Sequence, residues 1–307
     1  TVANQLIIPV TNPFIPADMM TLLNSRTGDN ASLVGSGATE PFLMRQRSLW
    51  GGLRGSQRDN TVVQYMLGIR GEINEAWSYD VYAMEGKTTI KQTQTGNLDT
   101  QRVLDLLAAP DGGASICAGG YNPFGRNSVS QECADYMTLD ATLAREFNQR
   151  IVQGYVSGDL LELPSGMMSV VLGYESRRFD YELDPGSLSG PVSGFNTQSP
   201  AAGKNRFDDI FAEAFIPLLD GKDYADSLDL TLGFRSSESQ FTDIANGISG
   251  DKDRNSAYKA ELSWVIASDL PRIRASYQRA VRAPNFGELF DGGGSAPQYF
   301  DPCSVST

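Results

Sequence analysis

No histidine occurs in the 307 residues. A Ser-His-Asp or Cys-His catalytic device therefore cannot be assembled within this chain, and zinc sites built on imidazole are excluded. Cysteine is scarce: three residues cannot supply a four-thiolate centre. No apolar run approaches the ~20 residues that a membrane-crossing helix needs. There is no Walker A sequence, and Gly35-Ser36-Gly37 lacks the third glycine of a dinucleotide loop. Asp251-Lys252-Asp253 opens with the spacing of a calcium loop, but the remaining ligands do not follow. Asp208 and Asp209 are neighbours on an alternating run, so they point to opposite faces and make a poor acid/base pair. Positive charge is short as well: 25 Lys and Arg stand against 37 Asp and Glu, a formal net charge of -12. That balance disfavours nucleic acid as a partner, because a phosphate backbone requires a basic face. These absences point away from enzyme chemistry, a cofactor or a metal site within this chain, and leave an enzyme as the weakest of the alternatives.

What is present is alternation. Four pairs of period-two runs appear, at residues 61–73 and 77–91, 151–162 and 167–181, 207–218 and 228–241, and 256–266 and 272–281. Each pair is joined by a short turn, around Asn74-Glu75-Ala76, Leu163-Pro164-Ser165-Gly166, Asp220-Gly221-Lys222 and residues 267–271. Period-two runs bounded by turn chemistry read as strands in hairpins. One face of the eight is uncharged, with Val63, Tyr65, Leu67, Ile69, Trp77, Tyr79, Val81, Val156, Leu160, Leu172, Tyr174, Ile210, Leu232, Phe234, Tyr258, Leu262, Trp264, Ile273 and Tyr277 among its members. The other face carries Arg70, Asp80, Glu175, Arg177, Glu213, Arg235, Lys259 and Arg274.

Two architectures put an apolar face on every strand. A soluble β-sandwich packs it into a core; a transmembrane barrel turns it to lipid, where a mid-bilayer Arg or Lys costs about 2–4 kcal/mol. Loop lengths favour the barrel. Short turns alternate with long connections at 92–150, 182–206 and 242–255, as short periplasmic turns alternate with long extracellular loops. Trp77, Tyr79 and Trp264 lie toward the short turns, and Tyr65, Tyr174, Phe234 and Tyr258 toward the long loops, which suggests an aromatic girdle at each interface. The expectation is an all-β, antiparallel transmembrane barrel segment of meandering hairpins. Residues 16–24 and 101–108 read as short helices, and 42–53 as a further strand.

Cys117 and Cys133 lie sixteen residues apart in a polar, glycine-rich stretch. A disulfide there closes a loop worth roughly 3 kcal/mol and implies an oxidising compartment; the alternative is three free thiols. Asn12-Pro13-Phe14 and Tyr121-Asn122-Pro123-Phe124 each begin with a turn signal. Their aromatics either stack on a ligand or anchor their own loop. Tyr121, Asn122 and Phe124 are candidate ligand-side residues on the first reading, with Phe195 and Asn196 in the next long connection.

The closing run reads Arg282-Ala283-Pro284-Asn285, then Glu288-Leu289-Phe290, then Asp301-Pro302-Cys303. With the Asn-Pro-Phe segments, Glu162-Leu163-Pro164-Ser165-Gly166 and Phe215-Ile216-Pro217-Leu218-Leu219, it resembles the TonB-dependent receptor family. The resemblance implies about eight strands of a 22-stranded barrel, one partial barrel domain over residues 1–307 with no plug domain in this chain, and a bacterial outer-membrane location. It also implies active uptake of a scarce ligand: a ferric siderophore first, cobalamin or a carbohydrate otherwise. Its partners would be outer-membrane lipid and the TonB protein. Arg70, Asp80, Glu175, Arg177, Arg235 and Arg274 would line the lumen, and the Arg-Ala-Pro-Asn run would mark an exit to the cell surface. Without the resemblance, the alternative is a secreted or surface β-sandwich that binds glycans.

Overall fold

A computed structural model describes residues 3–26, 37–124, 129–193, 197–267 and 270–290. Phe195, Asn196 and Cys303 lie outside the described residues. Eight long strands form one antiparallel meander: β3 (Gly55–Glu72), β4 (Trp77–Asp99), β5 (Thr138–Leu163), β6 (Gly166–Asp184), β8 (Ala201–Lys222), β9 (Ala225–Asp243), β11 (Asp253–Val265) and β12 (Arg272–Arg279). Each pairs with its neighbour in sequence, in the order β12-β11-β9-β8-β6-β5-β4-β3. The two-residue strands β7 (Val192–Ser193) and β10 (Ile248–Ser249) add to β4 and β9. The sheet does not close, since β3 and β12 have no partner on their outer sides among the described residues.

All eight expected strands are present, and most are longer than alternation indicated. The first long connection shrinks to residues 100–137, because β4 runs on to Asp99 and β5 starts at Thr138. Lys91-Gln92-Thr93-Gln94-Thr95 keeps pairing with β5 through Gln94 and Ala141. Here the inner side is covered, with Gln94, Ala141 and Leu143 buried, and the outer side is polar, so the outward apolar period ends while the ladder continues. The third turn also moves. Lys222 pairs with Ala225, which puts the turn at Asp223-Tyr224, and Gly221, at φ 59°, bends the chain just before it.

Register carries the central result. One row of paired residues runs Gly71–Tyr79–Val156–Leu172–Ala212–Phe234–Tyr258 across seven strands. The rows beside it are equally uncharged, for example Trp77–Gly158–Val170–Ala214–Leu232–Ala260–Tyr277. A bulge at Asp159/Leu161 sets Leu161, not Leu160, opposite Met168. Leu160 is thus the extra, unpaired residue of the bulge, and Leu161 takes the paired position that strict alternation assigns to Leu160.

This apolar face is not a core. Leu172 is 51% exposed, Ile210 59% and Phe234 49%, and all three sit on strands with a neighbour on each side, so exposure is not an edge effect. A sandwich would bury these side chains, and the sandwich alternative fails on this point. A contiguous apolar patch of this extent marks a contact with something other than water. Across the sheet the apolar surface climbs relative to the rows. Its upper aromatic is Tyr258 on β11 but Tyr65 on β3, six residues above Gly71 in the same row. That is about 20 Å along the strand over six strand spacings of about 4.8 Å each. A level apolar band thus requires strands tilted by about 35°, within the range of outer-membrane barrels.

The main buried core lies elsewhere. At the long-loop end, β1 (Ala3–Ile8) pairs with β2 (Phe42–Arg47), and α1 (Ala17–Asn24), α2 (Thr100–Ala108) and α3 (Gln131–Met137) complete a small lobe. Leu6, Ile8, Leu23, Phe42, Val103, Leu106, Leu107 and Met137 fill it. The helices at 17–24 and 100–108 match expectation. The strand expected over 42–53 stops at Arg47 and gives way to a single 3-10 turn at Leu49–Gly51. Asp99 caps α2 by accepting from the N–H groups of Gln101 and Arg102, as N-cap carboxylates do. None of the described helices is long and apolar enough to cross a membrane.

Candidate functional site

The face opposite the apolar one is polar, and its charges gather. Arg70, Asp80, Tyr155, Gly173, Phe211, Arg235 and Ala257 form one row. Beside it, Glu175 pairs with Asp209 across β6 and β8. Asp209 is fully buried. Its Oδ2 accepts from Arg177 Nη2 at 2.9 Å and from Arg235 Nη2. Glu175 Oε1 completes the group, 2.8 Å from Arg177 Nε and 2.6 Å from Arg235 Nη2. Two cations and two carboxylates thus neutralise each other around one buried oxygen, the arrangement that makes a buried charge tolerable. Three of the residues expected on this face, Glu175, Arg177 and Arg235, are brought together here. Arg70, Asp80 and Arg274 share the face but make no ion pair among the described residues. Asp209, the centre of the group, was legible only as half of an Asp-Asp pair on opposite faces.

Aromatic rings hold the cluster on one side. Phe147, Phe179, Phe207 and Phe241 form a ladder across β5, β6, β8 and β9, with ring centroids 5.7, 6.0 and 5.8 Å apart. Arg177 lies 5.0 Å over the Phe207 ring and Arg235 5.9 Å from that of Phe211, both within cation–π range. Phe211 occupies the space left by Gly173, where a Cβ would stand 2.2 Å from the ring. The ladder was not foreseen, because each ring sits alone among polar residues in its own strand. Beside it opens a cavity of about 430 Å³ lined by Gln153, Glu175, Glu213, Arg235, Lys259 and Gln278, with Lys259 Nζ 3.1 Å from Glu213 Oε2. That volume is in the range of small-molecule sites.

The loop candidates sit differently. Tyr121 is 1% exposed, its hydroxyl donates to Gln46 Oε1 at 2.7 Å, and its ring meets Trp50 edge-on at 5.6 Å. Burial pushes its phenol up to about 12. The backbone N–H of Phe124 donates to Asn122 Oδ1 at 2.9 Å, and the Phe124 ring lies 6.4 Å from that of Phe42. Asn12 and Phe14 repeat the turn at 3.0 Å, with the Phe14 ring against Gly112. In this structure the Asn-Pro-Phe turns set the half-buried rings of Phe14 and Phe124 against the lobe, the arrangement of the loop-anchoring alternative. Cys117 and Cys133 are joined in a disulfide within the same core.

The closing motif forms a lock. Arg282 donates twice to Glu288, at 3.0 and 2.7 Å. The N–H of Asn285 donates to Glu288 Oε2 at 2.7 Å, and the N–H of Glu288 to Asn285 Oδ1 at 3.0 Å. This reciprocal pair is a capping box for α4 (Phe286–Phe290). Arg282, first, and the Asn285 N–H hold the Glu288 carboxyl below its usual range. α4 folds back over the sheet. Phe286 sits 4.6 Å from the Tyr181 ring, and Phe286 and Phe290 both close on Gly203, on the polar face next to the phenylalanine ladder.

A tilted antiparallel meander with an exposed apolar face, a charged opposite face and its long connections at one end is a piece of barrel wall made for a lipid bilayer. The chain matches the family described as TonB dependent receptor-like, beta-barrel, over residues 19–302, and it belongs to that family. No curated protein matches it. The family is one of outer-membrane transporters rather than enzymes, so TonB-dependent transport is the class of activity to which this barrel belongs.

Proposed function

We propose that this barrel takes up a scarce ligand, a ferric siderophore in the first place, with cobalamin or a carbohydrate as the other classes, and that its polar face lines the path. The observation that carries the reading is the segregation of charge: eight strands in register keep Arg, Asp, Glu and Lys off one face through the apolar band and collect them on the other. A charged, aromatic-edged wall beside a cavity of about 430 Å³ suits a polar small molecule moving along it. The long-loop end, with the disulfide-closed lobe, is the extracellular side in this reading, and the TonB protein is the energy-coupling partner through a plug that residues 1–307 do not supply. The test is accumulation of radio-iron from a ferric siderophore by iron-limited cells with and without the intact gene, each with and without an uncoupler. Uptake that needs both the gene and the proton gradient supports the proposal. Equal uptake without the gene, alongside a growth defect under cobalamin or carbohydrate limitation, transfers it to that ligand class.

A further inference from the structure

Above the apolar band, on the same outward side, three arginines stand in one row. Arg150 pairs with Arg178 and Arg178 with Arg206 across β5, β6 and β8. Like charges directly opposite one another on a sheet repel, so the row needs counter-charge. Arg150 takes it from Glu85 at 3.0 Å and Arg206 from Asp208 at 2.6 Å. Lys204, next to the row, reaches Asp180 at 3.4 Å. Arg178, the middle member, has no ion pair or side-chain hydrogen bond among the described residues. A shallow cavity of about 300 Å³ opens over it, and its lining carries Arg150, Arg178, Lys204 and Arg206 against Asp180 alone. This is a cationic spot on a chain of formal net charge -12, so general attraction of anions to the protein does not account for it.

Height identifies the occupant. Arg150 is the outward residue directly above Val152, and Arg178 stands two outward positions above Tyr174. Along the strand that is about 13 Å above the tyrosine Cα, less along the membrane normal once the strand tilts, which is headgroup depth. The Tyr174 hydroxyl donates to Asp208 Oδ1 at 2.8 Å, marking where the apolar surface ends. A lipid whose chains lie against Val152, Tyr174 and Ile210 brings its headgroup to the row. We propose that Arg178, flanked by Arg150, Lys204 and Arg206, binds the phosphate of an anionic lipid headgroup at the outer edge of the apolar band. The proposal rests on that face being turned to lipid.

The experiment uses the full-length receptor in detergent micelles and native mass spectrometry with three probes: phosphatidic acid, phosphatidylcholine of the same chains, and inorganic phosphate. Phosphatidic acid binds in preference to phosphatidylcholine, and Arg178→Gln weakens it about tenfold, the order expected for one charge-assisted contact. Arg178→Lys recovers part of the loss, Arg206→Gln loses binding in the same direction, and Lys252→Gln, a cation already paired with Glu238, leaves it unchanged. Heat-modifiable mobility on gels confirms that each variant is folded. Equal binding of the two lipids, wild-type binding by folded Arg178→Gln, or displacement of the lipid by equimolar inorganic phosphate overturns the proposal. Failure of the lipid-facing reading is a separate result: the receptor would then stay dispersed without detergent.

Discussion

Asp208 and Asp209 are adjacent in sequence and opposite in fate. Asp209 is fully buried between two arginines on the polar face, whereas Asp208 faces outward, where it meets Arg206 and Tyr174. Replacing Asp209 by Asn removes the charge that both Arg177 and Arg235 share. It should cost about 3 kcal/mol of stability, while Asp208→Asn, in a half-exposed pair, should cost about 1 kcal/mol or less. Urea unfolding of the two variants in lipid vesicles makes the comparison. Glu288 gives a pH prediction. Its carboxyl is held below the usual glutamate range by Arg282, so the lock contributes fully above the ordinary carboxylate value and is lost as pH falls through the lowered one. A nitroxide at Gly287 should be immobile near neutrality and gain mobility in acid. With Glu288→Gln it should be mobile throughout; a wild-type spectrum independent of pH would count against the lock. Tyr121→Phe should destabilise the lobe by about 1 kcal/mol through the lost bond to Gln46.

At the scale of elements, the strands were legible where two media meet. Between Val152 and Glu162, or Met168 and Tyr174, one side chain in two avoids charge and the period is plain. Past Arg150 and Arg178 the pattern changes phase: Asp180, Glu182 and Asp184 continue the outward side, while Phe179, Tyr181 and Leu183 stand on the inner one, so the apolar residues swap faces within the same strands. The Asp159/Leu161 bulge was invisible because Leu160 and Leu161 are both leucine. Three of the four members of the polar cluster could be read from face assignment alone; its buried centre, Asp209, depended on the β6–β8 register, which no single strand encodes. The lobe escaped because its core is gathered from separated stretches, around Ile8, Leu23, Phe42, Leu106, Tyr121 and Cys133. Its disulfide closes a loop of sixteen residues, worth roughly 3 kcal/mol. Reduction should therefore expose residues 100–137 to protease while the strands stay protected, as limited proteolysis read by mass spectrometry can show.

For the whole molecule, the apolar face decides what the chain is. Its large side chains are exposed on interior strands, its register is continuous, and its slope across the sheet matches strands tilted in a bilayer. The free sides of β3 and β12 would add two templates for edge pairing, so residues 1–307 on their own should aggregate without lipid or detergent. The most direct measurement is a nitroxide scan of β6 from Met168 to Arg178 in the full-length receptor reconstituted in vesicles. Accessibility to oxygen, which concentrates in lipid, should alternate with period two: high at Val170, Leu172 and Tyr174, low at Val171, Gly173 and Glu175. Equal accessibility along the strand, or the opposite phase, would contradict a lipid-facing apolar wall and with it the transport reading.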